Sequence, residues 1–200
     1  MFNLFNEEPI HLSLPDAEFI YYPNFLSKEK ADLFFETLLN ETPWQHDEIT
    51  IFGKKILQPR LTSLYGNEGK SYGYSNIVMH PHPFNSTLTF IKDEIENTIN
   101  ENFTTVLLNL YRNEKDSNGW HADNEKELGR DPIIASLSLG EERVFQIKHN
   151  TNKEAKQSLT LQHGSLLVMK KGAQIHYKHQ IPKASKPKNP RINLTFRKII

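Results

Sequence analysis

The sequence contains no cysteine among its 200 residues. This absence excludes disulfide bonds, thiolate zinc sites, iron–sulfur clusters and a cysteine nucleophile. A metal ion would therefore have to be bound by histidine, aspartate or glutamate side chains, and the chain has nine histidines that could serve.

The sequence also lacks a run of about 18 apolar residues, the minimum for a membrane-spanning helix. Its first nine residues include two acidic ones and no long apolar core, unlike a secretory signal. We therefore expect an intracellular protein without a membrane partner, cytoplasmic in a bacterium or nuclear in a eukaryote. The length predicts one domain over residues 1–200, and we expect a monomer.

Net charge is absent as well, since 24 basic residues balance 24 acidic ones. The balance conceals two segments of opposite charge. Residues 155–200 hold ten basic residues and no acidic one, whereas residues 1–154 carry a net charge of −10. Charges are screened over about 8 Å at physiological salt, so a ligand senses the local patch. A nucleic-acid partner is therefore compatible with the sequence, and the alternative is a basic segment packed against acidic neighbours.

Hydrophobic periodicity predicts two helices followed by a β-rich region. Pro9, Pro15 and Pro23 predict irregular structure over residues 1–26. Helices are predicted over residues 27–40, with Ser27 as N-cap, and over residues 86–100. A hairpin around Gly53 lies between them. The predicted strands that follow are 104–111, 133–139, 143–149, 157–162, 165–169, 175–181 and 191–197. The pattern predicts an α+β protein whose core is a sandwich or jelly roll.

The tripeptide His121-Ala122-Asp123 is the strongest candidate for a metal site. In an extended segment residues i and i+2 project to the same side, so His121 and Asp123 could bind one ion. A second histidine would complete the two-histidine, one-carboxylate triad of ferrous oxygenases. From the residues alone this ligand could be His149, His163, His176 or His179, and the alternative is a solvated loop.

A second candidate is the alternating segment Arg191–Arg197, which places Arg191, Asn193, Thr195 and Arg197 on one face of a strand. This face could be the polar side of a half-exposed strand, or a polar wall inside a barrel where the two arginines would bind a dicarboxylate. Asn109 and Tyr111 also share one face of a predicted strand.

Taken in order, these motifs resemble the AlkB family of iron(II)- and 2-oxoglutarate-dependent dioxygenases, most closely its branch that repairs alkylated nucleic acids. The resemblance covers residues 50–198. The matching stretches are 59–62, 65–66, 72–75, 109–111, 116–123, 125, 127–129, 131–132, 134–140, 163–167, 179–182 and 190–197. It implies a double-stranded β-helix (jelly-roll) core at 103–198, flanking N-terminal helices, an N-terminal extension and helix at 1–50 and a nucleotide-recognition lid at 50–85.

The resemblance also implies a role for individual residues. His121, Asp123 and His179 would bind Fe(II), and His176 would be a neighbouring pocket residue. Arg197 and Tyr111 would bind the distal carboxylate of 2-oxoglutarate. The remaining implied contacts of that cosubstrate are Asn109, Arg191, Asn193 and Thr195, with Arg191, Asn193 and Asn109 around the end nearer the metal.

On the substrate side, Tyr72, Tyr74 and Ser75 resemble a lid over the damaged base, with Glu125 and Arg60 beside it. Phe52 resembles a wedge inserted into the base stack, although an apolar core position would explain it equally well. The lysines expected to face DNA are Lys170, Lys171, Lys178, Lys183, Lys186 and Lys188.

The implied reaction is oxidative demethylation of N1-methyladenine and N3-methylcytosine in DNA. It would use Fe(II), O₂ and 2-oxoglutarate, and it would release succinate and formaldehyde. The alternatives are an RNA or single-strand demethylase of the same chemistry, a non-catalytic jelly-roll binding module and a cupin-type isomerase.

Overall fold

A computed structural model describes residues 8–51, 54–67, 72–74 and 77–200. The helices are α1 (Lys28–Glu41), α2 (Ser86–Ile99) and α3 (Ala173–His176). The strands of the first half are β1 (Ile10–His11), β2 (Glu18–Tyr22), β3 (Glu48–Ile51), β4 (Lys54–Leu57), β5 (Leu61–Gly66), β6 (Tyr72–Tyr74) and β7 (Ile77–Met79). Those of the second half are β8 (Thr105–Tyr111), β9 (Asn118–His121), β10 (Ile134–Gly140), β11 (Arg143–His149), β12 (Lys156–Leu161), β13 (Ser165–Lys170), β14 (Tyr177–Ile181) and β15 (Arg191–Arg197).

Both predicted helices are confirmed, and side-chain caps fix where they begin. The Ser27 hydroxyl accepts a hydrogen bond from the Lys30 amide at the start of α1. The Asn85 side chain accepts one from the Leu88 amide at the start of α2. Such caps satisfy backbone N–H groups that have no partner within the helix. Across the described ranges, no helix is both long enough and apolar enough to cross a lipid bilayer.

Two antiparallel sheets form the core. The larger has the strand order β1-β2-β13-β10-β15-β8-β5, and the smaller has the order β12-β11-β14-β9. Apolar side chains from the facing sides of both sheets form one buried cluster. A second cluster joins the outer face of the large sheet to α1 and α2. The predicted α+β class with a jelly-roll core and flanking helices is therefore confirmed.

The core extends beyond the predicted residues 103–198. Strand β2, in the segment predicted to be irregular, pairs with β13, and β5, in the segment predicted as lid, pairs with β8. Strand β9 was not predicted, and residues 173–176 are helical, so the strand expected from 175 begins at Tyr177. These short strands depend on partners far away along the chain, which local periodicity does not reveal.

Strand β15 lies in the middle of the large sheet, between β10 and β8, and all seven of its residues are buried. Ile192, Leu194 and Phe196 face the helices. The polar alternate residues line the cavity between the sheets. The interpretation of this strand as a polar wall inside the protein is therefore confirmed, and the alternative interpretation as a half-exposed strand is wrong.

Candidate metal centre and adjoining pocket

Three side chains that suit a metal ion converge at one end of the space between the sheets. His121 ends β9, Asp123 follows it, and His179 lies opposite His121 in the paired strand β14. Their ligand atoms all lie within 4.8 Å of one another, and the two imidazole rings are 4.3 Å apart between centroids. Within the described part of the chain, this is the one group of at least three such residues.

The three other histidines considered as ligands have different partners. His163 accepts a hydrogen bond from the Gly140 amide and contacts Asp32. His149 accepts from the Asn152 amide, and its ring is stacked on His176 at 5.9 Å. His176 does not line the cavity, so its expected place as a pocket residue is wrong.

Hydrogen bonds orient the candidate ligands. His121 Nδ1 lies 2.7 Å from the Gly119 carbonyl oxygen, and the tautomer that donates there leaves a lone pair on Nε2. In this structure Nε2 accepts a hydrogen bond from Asn118 Nδ2 at 3.2 Å, and a bound metal ion would replace that contact. The Asp123 amide donates to Gln174 Oε1 at 2.8 Å. Gln174 is 2% exposed and was not predicted, because a single glutamine in a four-residue helix carries no sequence signal.

Electrostatics keep Asp123 and His179 in the protonation states that suit metal binding. Burial raises the pKa of Asp123, but the charges of Arg197, His179 and His121 outweigh it and hold this pKa well below its usual range. Burial, with the neighbouring His121, lowers the pKa of His179 to about 3. The carboxylate is thus charged and the imidazole neutral at neutral pH, as metal binding requires. The donor set fits iron(II), which two histidines and one carboxylate commonly bind.

At the other end of the cavity Arg191 is buried with part of its guanidinium group unused. Its Nη2 donates to Ser138 Oγ at 2.8 Å, while Nε and Nη1 make no hydrogen bond to a described residue. The Tyr111 ring lies 5.2 Å from the guanidinium carbon. Burial lowers the pKa of Arg191 to about 10, so the group stays charged at neutral pH. Two free N–H groups beside a tyrosine fit a carboxylate, which guanidinium binds through paired hydrogen bonds.

The structure reverses the expected order of the two arginines. Tyr111 of β8 lies opposite Arg191 of β15, and Arg191 is six residues away from Arg197 along β15. Arg197 donates through Nη2 to Asp123 Oδ1 at 2.5 Å, at the metal end of the cavity. The expectation that Arg197 shares one end with Tyr111, and that Arg191 lies nearer the metal, is therefore wrong, because the antiparallel register fixes the opposite arrangement.

Between the arginines, the predicted polar residues form a connected wall. Asn193 Nδ2 donates to Ser136 Oγ at 2.7 Å, and its Oδ1 accepts from Thr195 Oγ1 at 2.9 Å. Asn109 Oδ1 accepts from Arg60 Nε at 2.7 Å. Arg60, expected on the substrate side, is only 3% exposed, so it supports Asn109 from within the protein.

The other substrate-side predictions are only partly described. Glu125 is half-buried, two residues after Asp123, at the start of a short 3₁₀ turn. Tyr72 and Tyr74 belong to β6, whose backbone pairs with β7. Phe52 and Ser75 lie outside the described residues. Contacts of these side chains with a base remain predictions.

Comparisons with known proteins show the family to which the chain belongs. A family model of the 2OG-Fe(II) oxygenase superfamily matches residues 18–197. The alpha-ketoglutarate-dependent dioxygenase alkB homolog 3 of Homo sapiens is 40% identical over 192 residues, covering 89% of this chain and 65% of that protein. The DNA oxidative demethylase ALKBH2 of Homo sapiens is 34% identical over 189 residues, covering 90% of this chain and 72% of that protein. This chain therefore spans slightly less than two thirds of its alkB homolog 3 relatives.

A solved structure shows the same fold. The structure of OsALKBH1 superimposes with a TM-score of 0.69 at 14% identity, covering 96% of this chain and 100% of that one. The chain belongs to the 2OG-Fe(II) oxygenase superfamily and, within it, to the AlkB family. The predicted family is confirmed, and with it the cofactors Fe(II), 2-oxoglutarate and O₂ that it implies.

Proposed function

We propose that this chain removes alkyl groups from the bases of nucleic acid by oxidation, coupled to decarboxylation of 2-oxoglutarate. One observation carries the proposal: a single cavity holds the His121, Asp123 and His179 triad at one end and the incompletely bonded Arg191 at the other. A 2-oxo acid that reaches a metal ion at the triad would extend its second carboxylate towards Arg191.

The residues of this chain would hold and orient the reactants. His121, Asp123 and His179 would bind iron on one side and leave adjacent positions for other ligands. Arg191 and Tyr111 would bind the distal carboxylate of 2-oxoglutarate, and Arg197 would hold Asp123 in place. Bound iron, with 2-oxoglutarate and O₂, supplies the oxidising chemistry.

The substrate class is proposed from the relatives and from local charge. ALKBH2 is named a DNA oxidative demethylase. We propose N1-methyladenine and N3-methylcytosine as substrates, because these bases carry a positive charge that an acidic residue such as Glu125 would favour. A duplex base must be flipped out of its stack before it can react, at a cost of a few kcal/mol.

The outer face of the small sheet supports a polyanionic partner. Lys148 lies opposite Lys156 on one side and Lys178 on the other, in one cross-strand row. All three are exposed, and none forms an ion pair with a described residue. The four strands of this sheet contain no aspartate or glutamate. Like charges directly opposite each other destabilise a sheet, and bound phosphates would relieve that repulsion.

Trp120 joins this lysine row to the metal end. It precedes the ligand His121, is 38% exposed, and its ring lies 4.1 Å from Lys148 Nζ. Of the lysines expected to face DNA, Lys178 lies in the row. Two others lie close to acids, since Lys188 pairs with Glu141 at 2.8 Å and Lys170 lies 4.0 Å from Glu101.

The test is demethylation of defined oligonucleotides. Strands containing N3-methylcytosine or N1-methyladenine are incubated with the protein, Fe(II), 2-oxoglutarate and O₂, and formaldehyde and the restored base are measured. Duplex DNA, single-stranded DNA and RNA are compared in parallel, which separates DNA repair from action on RNA or single strands. An iron-binding, folded protein that releases no formaldehyde from any of these substrates would contradict the proposal.

A further inference from the structure

Arg143 is a buried arginine to which neither the sequence motifs nor the proposed reaction gives a role. It begins β11 and is 2% exposed. Its guanidinium carbon lies 5.5 Å from the centre of the Tyr111 ring, and that of Arg191 lies 5.2 Å from the same ring. Tyr111 and Arg191 line the cavity, whereas Arg143 does not. Arg143 therefore lies behind Tyr111 and can act on the cavity only through it or through its charge.

The hydrogen bonds of Arg143 all go to main-chain carbonyl groups. Nη1 donates to Asn113 at 3.3 Å, and Nη2 donates to Asp116 at 2.8 Å and to Pro182 at 2.7 Å. Asn113 and Asp116 belong to the loop between Tyr111 and the strand that ends at His121. Pro182 follows the strand that contains His179. One side chain thus connects the segments that adjoin Tyr111 and both metal-binding histidines.

No described acidic side chain lies within ion-pair distance of Arg143, although the charges of Asp116, Glu141 and Glu114 act on it from farther away. The carboxylate of Asp116 is engaged by Arg112, which donates to it from the backbone amide, Nε and Nη2. Neither Arg143 nor Arg191 forms an ion pair with a described residue. Two buried cations beside one tyrosine are costly unless an anion joins them. A dicarboxylate bound at Arg191 would bring that anion.

We propose that Arg143 is a positioning residue that sets the preference of this site for a 2-oxo acid with a second carboxylate. It holds the Tyr111 ring beside Arg191, and its charge adds to that of Arg191 at the end of the cavity where this carboxylate binds. The inference rests on the proposed function, because it takes 2-oxoglutarate as the ligand.

The test compares two ligands that differ only at the distal end. The protein is loaded with Mn²⁺ in place of iron, so that binding is measured without turnover. It is titrated calorimetrically with 2-oxoglutarate and with 2-oxopentanoate, in which a methyl group replaces the distal carboxylate. Arg143→Gln should weaken 2-oxoglutarate binding about 10-fold, as loss of an outer-shell partner often does. Its affinity for 2-oxopentanoate should change less than about 3-fold, because that ligand lacks the group on which Tyr111 and the charge act. The selectivity ratio, which is the affinity for 2-oxoglutarate divided by that for 2-oxopentanoate, should therefore fall.

Two further variants separate positioning from general support of the fold. Arg143→Lys keeps the charge but cannot reach all three carbonyl groups, so it should retain more selectivity than Arg143→Gln. It also keeps the test decisive if Arg143→Gln fails to fold. Arg112→Gln disturbs the same loop without contacting Tyr111, and it should leave the ratio at the wild-type value.

The possible outcomes distinguish the hypotheses. Equal weakening of both ligands in Arg143→Gln and Arg143→Lys would show only a structural role and would overturn the proposal. An unchanged ratio would overturn it as well. Failure of the wild-type protein to prefer 2-oxoglutarate would instead contradict the assigned cosubstrate. Loss of selectivity in Arg143→Gln, with no demethylation of any oligonucleotide by the wild-type protein, would leave this inference standing and remove the nucleic-acid substrate.

Discussion

The two ends of β15 carry the same residue type in different surroundings. Arg197 contacts Asp123, an anion of the protein itself. Arg191 contacts a serine, a tyrosine ring and, through their charges, another arginine. Both are buried to within 4% exposure. At one end the protein supplies the negative charge, and at the other end it does not.

This difference indicates which end binds an anionic ligand. A buried guanidinium that already has a carboxylate partner gains little from a second one, whereas a buried cation without a partner favours any anion that fits. The Arg197 end is therefore suited to holding a metal ligand, and the Arg191 end to binding part of the cosubstrate. The distance along β15 separates the two tasks.

The largest effect is expected at the metal end. His179→Ala removes one of three ligands and should reduce turnover at least about 1,000-fold, since iron would lose both affinity and orientation. The measurement is formaldehyde release together with iron content after gel filtration. His176→Ala, three residues earlier, is the matched control and should retain iron and activity. Equal activity in both variants would show that His179 is not a ligand.

The next largest effect is expected at Arg191, the end of β15 where no described residue supplies a carboxylate. Arg191→Gln removes the charge and two N–H donors, each worth about 1.5–3 kcal/mol when charge-assisted. With the lower value for each donor, the loss is about 3 kcal/mol and the dissociation constant for 2-oxoglutarate should rise about 100-fold, since each 1.4 kcal/mol is a factor of ten. Binding of 2-oxopentanoate should change little, and calorimetry on Mn²⁺-loaded protein measures both. If Arg197→Gln, and not Arg191→Gln, abolished this discrimination, the order of the arginines would have to be reversed again.

A smaller effect is expected when Arg197, the partner of Asp123, is replaced. Arg197→Gln leaves Asp123 without its charged partner, so metal affinity should fall about 10-fold, at the low end of the range for outer-shell partners of metal ligands. Selectivity for 2-oxoglutarate over 2-oxopentanoate should remain. Arg197→Lys keeps the ion pair and should recover most of the metal affinity, which is followed by competition with a chelating dye. No loss of metal affinity would show that Arg197 has a different task.

The sequence predicts those parts of this arrangement that depend on neighbouring residues. The polar wall of β15 and the joint orientation of His121 and Asp123 follow from the alternation of side chains along an extended chain. The third ligand and the order of the arginines depend on the pairing of β14 with β9 and of β15 with β8. These partners are separated by more than 50 residues, so periodicity within either strand does not fix their register.

Other parts were missed because their residue types are uninformative. Gln174 and Arg143 belong to no motif, and only their burial and hydrogen bonds link them to the segments that carry the candidate site. Strand β2 follows a proline and a turn, and its assignment to the large sheet comes from pairing with β13. Family resemblance selected His179, the histidine that the structure places beside His121 and Asp123. It exchanged the places of Arg191 and Arg197, because the motif gives residue types without showing which end of the strand lies beside Tyr111.

The smallest effect is expected for the exposed lysine row, in contrast to the buried arginines, and concerns the salt dependence of nucleic-acid binding. Single-stranded nucleic acid bound by the lysine row should release counterions, with a slope of about −0.7 per phosphate contact in a plot of log affinity against log salt. Lys148→Gln/Lys178→Gln should reduce the steepness of this slope by about 1.4. Lys28→Gln/Lys30→Gln, with the same change in charge on exposed positions of α1, should leave it unchanged. Binding of 2-oxoglutarate should vary much less with salt in all three proteins, because buried charges are screened far less than exposed ones. Fluorescence anisotropy of a labelled oligonucleotide measures the slopes, and identical slopes in the two double variants would show that the small sheet does not face the nucleic acid.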